Sequence, residues 1–232
     1  MNQLALPAAA LFFFLHLLCE TIATFIKYNF SSLGRHMLGI SLANIFGISS
    51  RGFVALYGII ISIVIEKNIS SIQVYVYVYF AVLLLGAGFS LVLANIKITD
   101  SFMGGISHNE LPLLKQLKMA FGTNNSKCAI PVRGITAILL GIQFVSVVIA
   151  YGLCFSLPHS RLLIISFVPL VSMLGTLIAI LWVEPRLARM IDADNATGYA
   201  AAREFLRARA ISFFFCAVSL LALPLLTPEI GA

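Results

Sequence analysis

Charged residues are scarce in this chain of 232 residues. Lys, Arg, Asp and Glu together make up 10% of it, whereas soluble domains average about 25%, and the mean hydropathy is +1.02. This composition excludes an ordinary soluble domain. The apolar runs also lack the period-two alternation of a membrane β-barrel. We therefore expect an all-α, polytopic integral membrane protein.

Motifs for disulfides, metals and nucleotides are missing as well. The four cysteines lie far apart, with no C-x-x-C pair and no ligand-like spacing to histidine, so we predict no disulfide, no metal site and no cofactor. No P-loop is present, so ATP hydrolysis by this chain is not expected. Membrane topology explains the net charge of +6, so nucleic acid is not an expected partner.

Six apolar segments are long enough, or nearly so, to cross a bilayer as helices, which takes about 20 residues each. They cover residues 4–26, 38–64, 72–95, 134–156, 162–183 and 210–226. Little is left over for a separate soluble unit. We therefore predict a single transmembrane domain, residues 1–232.

The basic residues predict how these spans are oriented. Twelve of the fifteen Lys and Arg lie in the first, third and fifth connections, whereas the second and fourth carry only Lys67 and Arg161. The positive-inside rule then places the three basic connections in the cytoplasm and both termini outside it. Three spans per half would give the halves opposite orientations, which allows an inverted 3+3 repeat.

The long cytoplasmic connection, residues 97–133, contains a predicted helix over 109–122. Its apolar face and flanking lysines favour an interfacial helix on anionic lipid. The alternative is a solvated helix that packs on the bundle.

Ionisable residues inside the apolar runs are the candidates for function. His16 and Glu20 are four residues apart and share a helix face in the first span, and Arg51 lies near the middle of the second. A charge in hydrocarbon needs a partner, a proton or a water-filled cavity. Arg51 is the candidate partner of Glu20. The set is either a structural ion pair or a functional cluster that lines a cavity.

A guanidinium at membrane depth suits a phosphate or pyrophosphate, because its planar donors match oxyanions. We therefore predict Arg51 and Asn44 as pyrophosphate-binding residues, with Lys27 and Arg35 as a basic entrance at the cytoplasmic side. Glu20 and His16 would hold Arg51 in the empty state or carry a coupled proton. No arrangement of a nucleophile with a base is evident, so we predict no catalytic residue and no enzymatic activity.

The same residues resemble the N-terminal region of the Amj family, the alternate lipid II flippases of bacteria. The matching positions are His16, Glu20, Thr21, Lys27, Gly34, Ser41, Asn44, Ser50 and Arg51, and in the C-terminal half Glu184, Pro185 and Asp192. The region from 66 to 133 is the least similar. The resemblance implies a multi-pass protein of the bacterial inner membrane that moves lipid II from the cytoplasmic to the outer leaflet.

Other functions remain open from the residues alone. A relative could flip the lipid-linked glycan of an O-antigen or capsule, and a proton-coupled carrier of a small solute would use Glu20 and His16 equally well. A phosphatase acting on a lipid pyrophosphate and a non-transporting scaffold are further alternatives. The expected partners are membrane lipids and a lipid-linked glycan. Six spans are few for so large a head group, so we expect a homodimer or a bundle that opens laterally to lipid.

Overall fold

The computed structural model describes residues 4–32, 35–67, 70–96, 130–178 and 195–226, together with the single residues 181 and 185. All regular secondary structure in these ranges is helical. The helices are α1 (Ala5–Ser32), α2 (His36–Glu66), α3 (Ile72–Ala94), α4 (Ile130–Ser156), α5 (Arg161–Ile178), α6 (Asn195–Leu221) and the short α7 (Leu223–Leu226), and a 3₁₀ turn (Pro158–Ser160) joins α4 to α5.

Four of the helices contain segments long and apolar enough to cross a membrane. These segments are Ala5–Phe30, Met37–Glu66, Ile72–Ala94 and Thr136–Phe155, and they match the first four predicted spans. The fifth predicted span corresponds to a shorter apolar helix, Arg161–Gly175. The all-helical prediction is therefore confirmed, and so are four membrane-type helices, whereas the total of six spans stays a prediction.

Helix α6 begins well before the sixth predicted span. The stretch AAAREFLRARA, residues 200–210, favours a helix, and the apolar run predicts a membrane span only from residue 210. In the structure one helix starts at Asn195 and runs without a break to Leu221. Its polar first half is helical because it packs on other helices, a force that local hydropathy does not report. The predicted helix over 109–122 and the family positions Glu184 and Asp192 lie outside the described residues.

Helix α6 occupies the centre of the bundle, where it packs against α1, α3 and α4. Its fully buried residues include the small side chains Ala208, Cys216 and Ala217. Small residues let helix backbones approach closely, which favours van der Waals packing between helices in lipid. Phe213 fills the space beside Gly86 of α3. A Cβ added at Gly86 would lie 3.3 Å from the ring of Phe213.

The two halves of the bundle have matching neighbours. Helices α1, α2 and α3 of the first half correspond to α4, α5 and α6 of the second. In each half the first helix packs against the other two, and the third helices, α3 and α6, pack against each other. The α1–α6 and α3–α4 contacts also correspond, although the second is smaller. Exchanging the halves leaves these neighbours unchanged. Among the described helices, a minor contact between α2 and α4 and the contacts of the short α7 lie outside this correspondence.

The approach of α2 to α1 positions the functional site. At Gly39 an added Cβ would lie 2.7 Å from Cβ of Phe30 and 3.3 Å from the carbonyl oxygen of Lys27. Only a glycine allows the two backbones to come this close near their connection. Helix α2 then follows α1 in the antiparallel direction, which brings Ser50 beside His16 and Glu20.

Candidate functional site

The polar cluster at the α1–α2 contact consists of His16, Glu20 and Ser50. Nδ1 of His16 lies 2.7 Å from Oγ of Ser50 and 3.3 Å from its carbonyl oxygen. The Ser50 hydroxyl donates to Oε1 of Glu20 at 3.0 Å. The shared helix face predicted for His16 and Glu20 is therefore present, and Ser50 joins the two side chains.

These contacts determine the roles of the imidazole nitrogens. A serine hydroxyl has one proton to donate, and here Glu20 accepts it. Nδ1 of His16 must then carry a proton and donate to Oγ of Ser50, which leaves Nε2 as the nitrogen that exchanges protons with other groups. The order of donation is His16 to Ser50 to Glu20.

The counter-charge of Glu20 is Arg209 of α6. Nη2 of Arg209 lies 2.9 Å from Oε2 of Glu20, and Nη1 donates to the hydroxyl of Thr24 at 3.4 Å. The expected partner was Arg51, and that expectation is wrong. Arg209 was assigned to the fifth connection because it precedes the last apolar run, but in the bundle its side chain is only 3% exposed.

The structure, and not the sequence, places Arg209 on the buried face of α6, because residues 210–221 are apolar nearly all round. Residues three, four, seven and eight positions further on, Ser212, Phe213, Cys216 and Ala217, are all buried, and this spacing defines one face of a helix. Extending the face back by one turn includes Arg209. The sequence alone does not indicate that Glu20, 189 positions away, would be its partner.

Arg209 keeps unused hydrogen-bonding capacity. A guanidinium has five N–H donors, and in the described part of the chain its Nε makes no hydrogen bond. The contact with Glu20 is single, because Ser50 occupies the other carboxylate oxygen. Phe144 of α4 lies under the guanidinium, 5.7 Å from ring centroid to Cζ. Glu20 is 37% exposed, so it lies at the mouth of the site with Arg209 behind it.

Arg51 occupies a different position. It is the sixteenth residue of the 31-residue helix α2, hence about 22 Å from either end at a rise of 1.5 Å per residue. It is exposed, and Ile48, Leu56 and Ile59 are exposed along the same helix. It forms no ion pair with any residue that the structure describes.

The predicted pyrophosphate-binding residues separate into two groups. Asn44 is exposed like Arg51 and lies two turns before it, about 10 Å along the axis. Lys27 and Arg35 lie near the α1–α2 connection, where Nζ of Lys27 sits 5.7 Å from the ring of Tyr28 and Arg35 is exposed. The first pair lies within α2, and the second lies at the end of the bundle where α1 and α2 are joined.

An aromatic layer separates the polar cluster from the opposite end of the bundle. The ring of Phe13 lies 5.0 Å from Tyr57 and 5.5 Å from Tyr79, centroid to centroid, and all three side chains are buried. The His16 ring follows at 6.2 Å from Phe13. Access to His16 and Glu20 is therefore closed on the side of Glu66 and Ile72.

Two grooves are visible on the α4 side of the bundle. One, of about 380 Å³, lies between α4 and α6 beside Ile138 and Ile211, and the other, of about 300 Å³, lies between α4 and α5 beside Ile164. Their linings are almost entirely apolar, and neither contains a predicted site residue. Such surfaces suit hydrocarbon chains.

The described helices and this cluster define an all-helical protein with membrane-type helices and ionisable groups deep inside an apolar bundle. Comparison with models of protein families, with curated proteins and with solved structures found no match.

Proposed function

We propose that this protein is a flippase that moves a lipid-linked pyrophosphate, lipid II in the first place, from the cytoplasmic to the outer leaflet of the bacterial inner membrane. The observation that carries the proposal is Arg51, an exposed cation at the centre of a membrane-type helix that has no ion pair with any described residue. In this function Arg51 receives the phosphate in mid-membrane.

The energetic argument starts from the cost of Arg51. A central arginine in a membrane helix costs about 3 kcal/mol on insertion scales. Neighbouring protein groups do not offset this cost for Arg51, because its surroundings on α2 are apolar side chains. An anionic ligand would offset it. Because the residue faces outward, such a ligand can reach it while its own hydrocarbon tail stays in lipid.

Pyrophosphate suits this position. A guanidinium can bind two oxygens of a phosphate at once, and a pyrophosphate has further oxygens that can accept from the exposed amide of Asn44 on the same helix. Lys27 and Arg35 at the connection would attract the head group first. The path from them to Arg51 follows one helix over about 24 Å.

The matching neighbours of the two halves also favour transport. Membrane transporters built from inverted repeats bind their substrate near the middle of the membrane and open alternately to each side. With three spans in each half and both termini outside the cytoplasm, the halves would run in opposite directions. Arg51, Glu20 and Arg209 would then lie near the level where such repeats meet.

A proton-coupled carrier of a small solute is the second candidate. The polar cluster, together with the Arg209 that pairs with Glu20, favours it, because ionisable groups at membrane depth often mark proton pathways. The exposed position of Arg51 favours the flippase, since a small water-soluble substrate would have no reason to approach from the lipid side.

Flipping can be measured in proteoliposomes that contain a fluorescent undecaprenyl-pyrophosphate lipid, with an impermeant quencher outside. We expect the intact protein to expose inner-leaflet label to the quencher. Arg51→Ala should slow this about ten- to a hundredfold, because a charge-assisted hydrogen bond contributes about 1.5–3 kcal/mol.

The control is Lys67→Ala, which removes an exposed cation at the C-terminal end of the same helix and should leave the rate unchanged. An Arg51→Ala rate equal to that of the intact protein would contradict the role of Arg51. Transport of a small solute without flipping would favour the second candidate.

A further inference from the structure

The polar cluster forms a continuous hydrogen-bonded chain that ends on an ion pair. The order is His16, Ser50, Glu20 and Arg209, with contacts of 2.7, 3.0 and 2.9 Å. Three helices contribute to it, α1, α2 and α6. The two Glu20 oxygens are thus shared between a hydroxyl that can pass on a proton and a guanidinium that neutralises the charge.

Arg209 is the single cation that pairs with Glu20 among the described residues. The other ionisable groups that face Glu20 are His16 and Cys19 on its own helix. Helix α2 contributes the Ser50 hydroxyl and α6 contributes Arg209, whereas α3 contains no Asp, Glu, Lys or Arg. From α4, the ring of Phe144 packs against Arg209. If Arg209 binds another anion, Glu20 loses its counter-charge.

A carboxylate at membrane depth that loses its counter-charge needs a proton or contact with water, and Glu20 has a hydrogen-bonded route to a proton through Ser50 and His16. We infer that Glu20 and the pyrophosphate of the substrate compete for Arg209. When the pyrophosphate binds Arg209, Glu20 becomes protonated through His16 and Ser50. Arg209 is then a second phosphate-binding arginine, and the cluster is a proton-binding site coupled to the anion. This inference rests on the proposed function.

The proton transfer balances along the chain of hydrogen bonds. One proton enters at Nε2 of His16, and the Nδ1–H bond breaks as that proton passes to Oγ of Ser50. The original hydroxyl proton of Ser50 moves to Oε1 of Glu20. Histidine ends neutral with its proton on Nε2, serine is unchanged, and Glu20 is a neutral carboxylic acid that no longer needs Arg209.

The test counts protons when an anion binds. The full-length protein in lipid nanodiscs, in weakly buffered solution with a pH-indicator dye, is mixed with geranylgeranyl pyrophosphate, and bound ligand is measured in the same samples. Glu20→Gln is the reference: it leaves Arg209 without a competing carboxylate, so we expect it to bind the ligand, and it has no carboxylate to protonate. We expect the intact protein to take up close to one more proton per bound ligand than Glu20→Gln does.

Two serine variants test the route. Ser50→Ala removes the relay hydroxyl, and proton uptake should slow at least about tenfold, in line with the loss of a positioned proton-transfer group. Ser49→Ala is the matched control, since that neighbouring hydroxyl is exposed and donates to the carbonyl of Ile45 in its own helix. It should take up protons as fast as the intact protein.

The outcomes separate this inference from the proposed function. Ligand binding without extra proton uptake would overturn the inference and leave the flippase standing, and equal rates for Ser50→Ala and the intact protein would overturn the relay. Extra uptake that survives in Arg51→Ala would support the inference and remove Arg51 from the function. Absence of binding by the intact protein would overturn both.

Uptake with inorganic pyrophosphate as well would show that the oxyanion alone suffices, and uptake with the lipid form only would assign the site to a lipid head group.

Discussion

Two arginines of this protein lie within apolar helices, and they differ in exposure. Arg209 is buried and holds Glu20 at 2.9 Å, whereas Arg51 is exposed and has no ion pair with a described residue. The sequence indicates Arg51, because it interrupts an apolar run. It does not reveal the partner of Glu20, because that depends on how three helices pack. A buried ion pair and an exposed cation should respond differently to mutation.

Replacement of Arg209 should destabilise the protein. Arg209→Gln leaves Glu20 without its counter-charge; this costs about 3–5 kcal/mol when both partners are buried, and less here because Glu20 is 37% exposed. Thermal unfolding in detergent should show a lower midpoint. The double variant Glu20→Gln with Arg209→Gln should recover most of the loss, since neither charge remains. No recovery in the double variant would mean that Arg209 stabilises the fold by packing alone.

Replacement of Arg51 should leave stability unchanged. Arg51→Ala removes no described ion pair, and in detergent, where water reaches an exposed side chain, such a position usually changes the free energy of unfolding by no more than about 0.5 kcal/mol. The unfolding midpoint should match that of the intact protein while flipping is lost. A decrease comparable to that of Arg209→Gln would show that Arg51 has a structural partner, and a loss of flipping would then follow from misfolding.

At the scale of helices, the apolar runs determine most of the boundaries. Helices α2 and α3 begin and end within about two residues of the predicted spans, an agreement closer than pattern reading usually gives. Helix α1 ends six residues after its predicted span and α4 begins four residues before its own. Helix α6 differs most, since half of it is polar and packs on α1 and α3. Hydropathy detects the part of a helix that lipid would cover, and it misses a polar part that other helices cover.

The α1–α2 contact gives a prediction at this scale. Gly39→Ala would place Cβ 2.7 Å from Cβ of Phe30, so the helices must separate, and overpacking of this kind costs about 1–3 kcal/mol. Gly47→Ala is the matched control on the same helix, because an added Cβ there meets nothing within 4 Å. Unfolding midpoints should fall for the first variant only. Equal midpoints would contradict the close approach that places Ser50 beside Glu20.

For the whole molecule, the sequence predicts an orientation in the membrane, and this stays a prediction. The described helices place Lys27 and Arg207 at one end of the bundle and Lys67 and Arg161 at the other. The matching helix neighbours of the two halves could not be predicted from the sequence, because the two halves share little sequence similarity. The correspondence between α1–α3 and α4–α6 lies in the order of the helices and in which helices pack together.

Orientation can be measured with single cysteines in a variant that lacks the four native ones. Lys67→Cys and Arg161→Cys should react with an impermeant maleimide added to intact spheroplasts. Arg35→Cys and Arg207→Cys should react only after the membrane is permeabilised, because the positive-inside rule places them in the cytoplasm. The reverse pattern of labelling would invert the predicted topology and the direction of transport.

The central claim is that Arg51 receives the phosphate of lipid II in mid-membrane, and survival tests it most directly. Bacteria depleted of their other lipid II flippase receive either the intact protein or Arg51→Ala, at matched membrane levels. We expect the intact protein to restore growth and Arg51→Ala to fail. Growth with both would show that Arg51 is not needed for flipping, and growth with neither would contradict lipid II as the substrate.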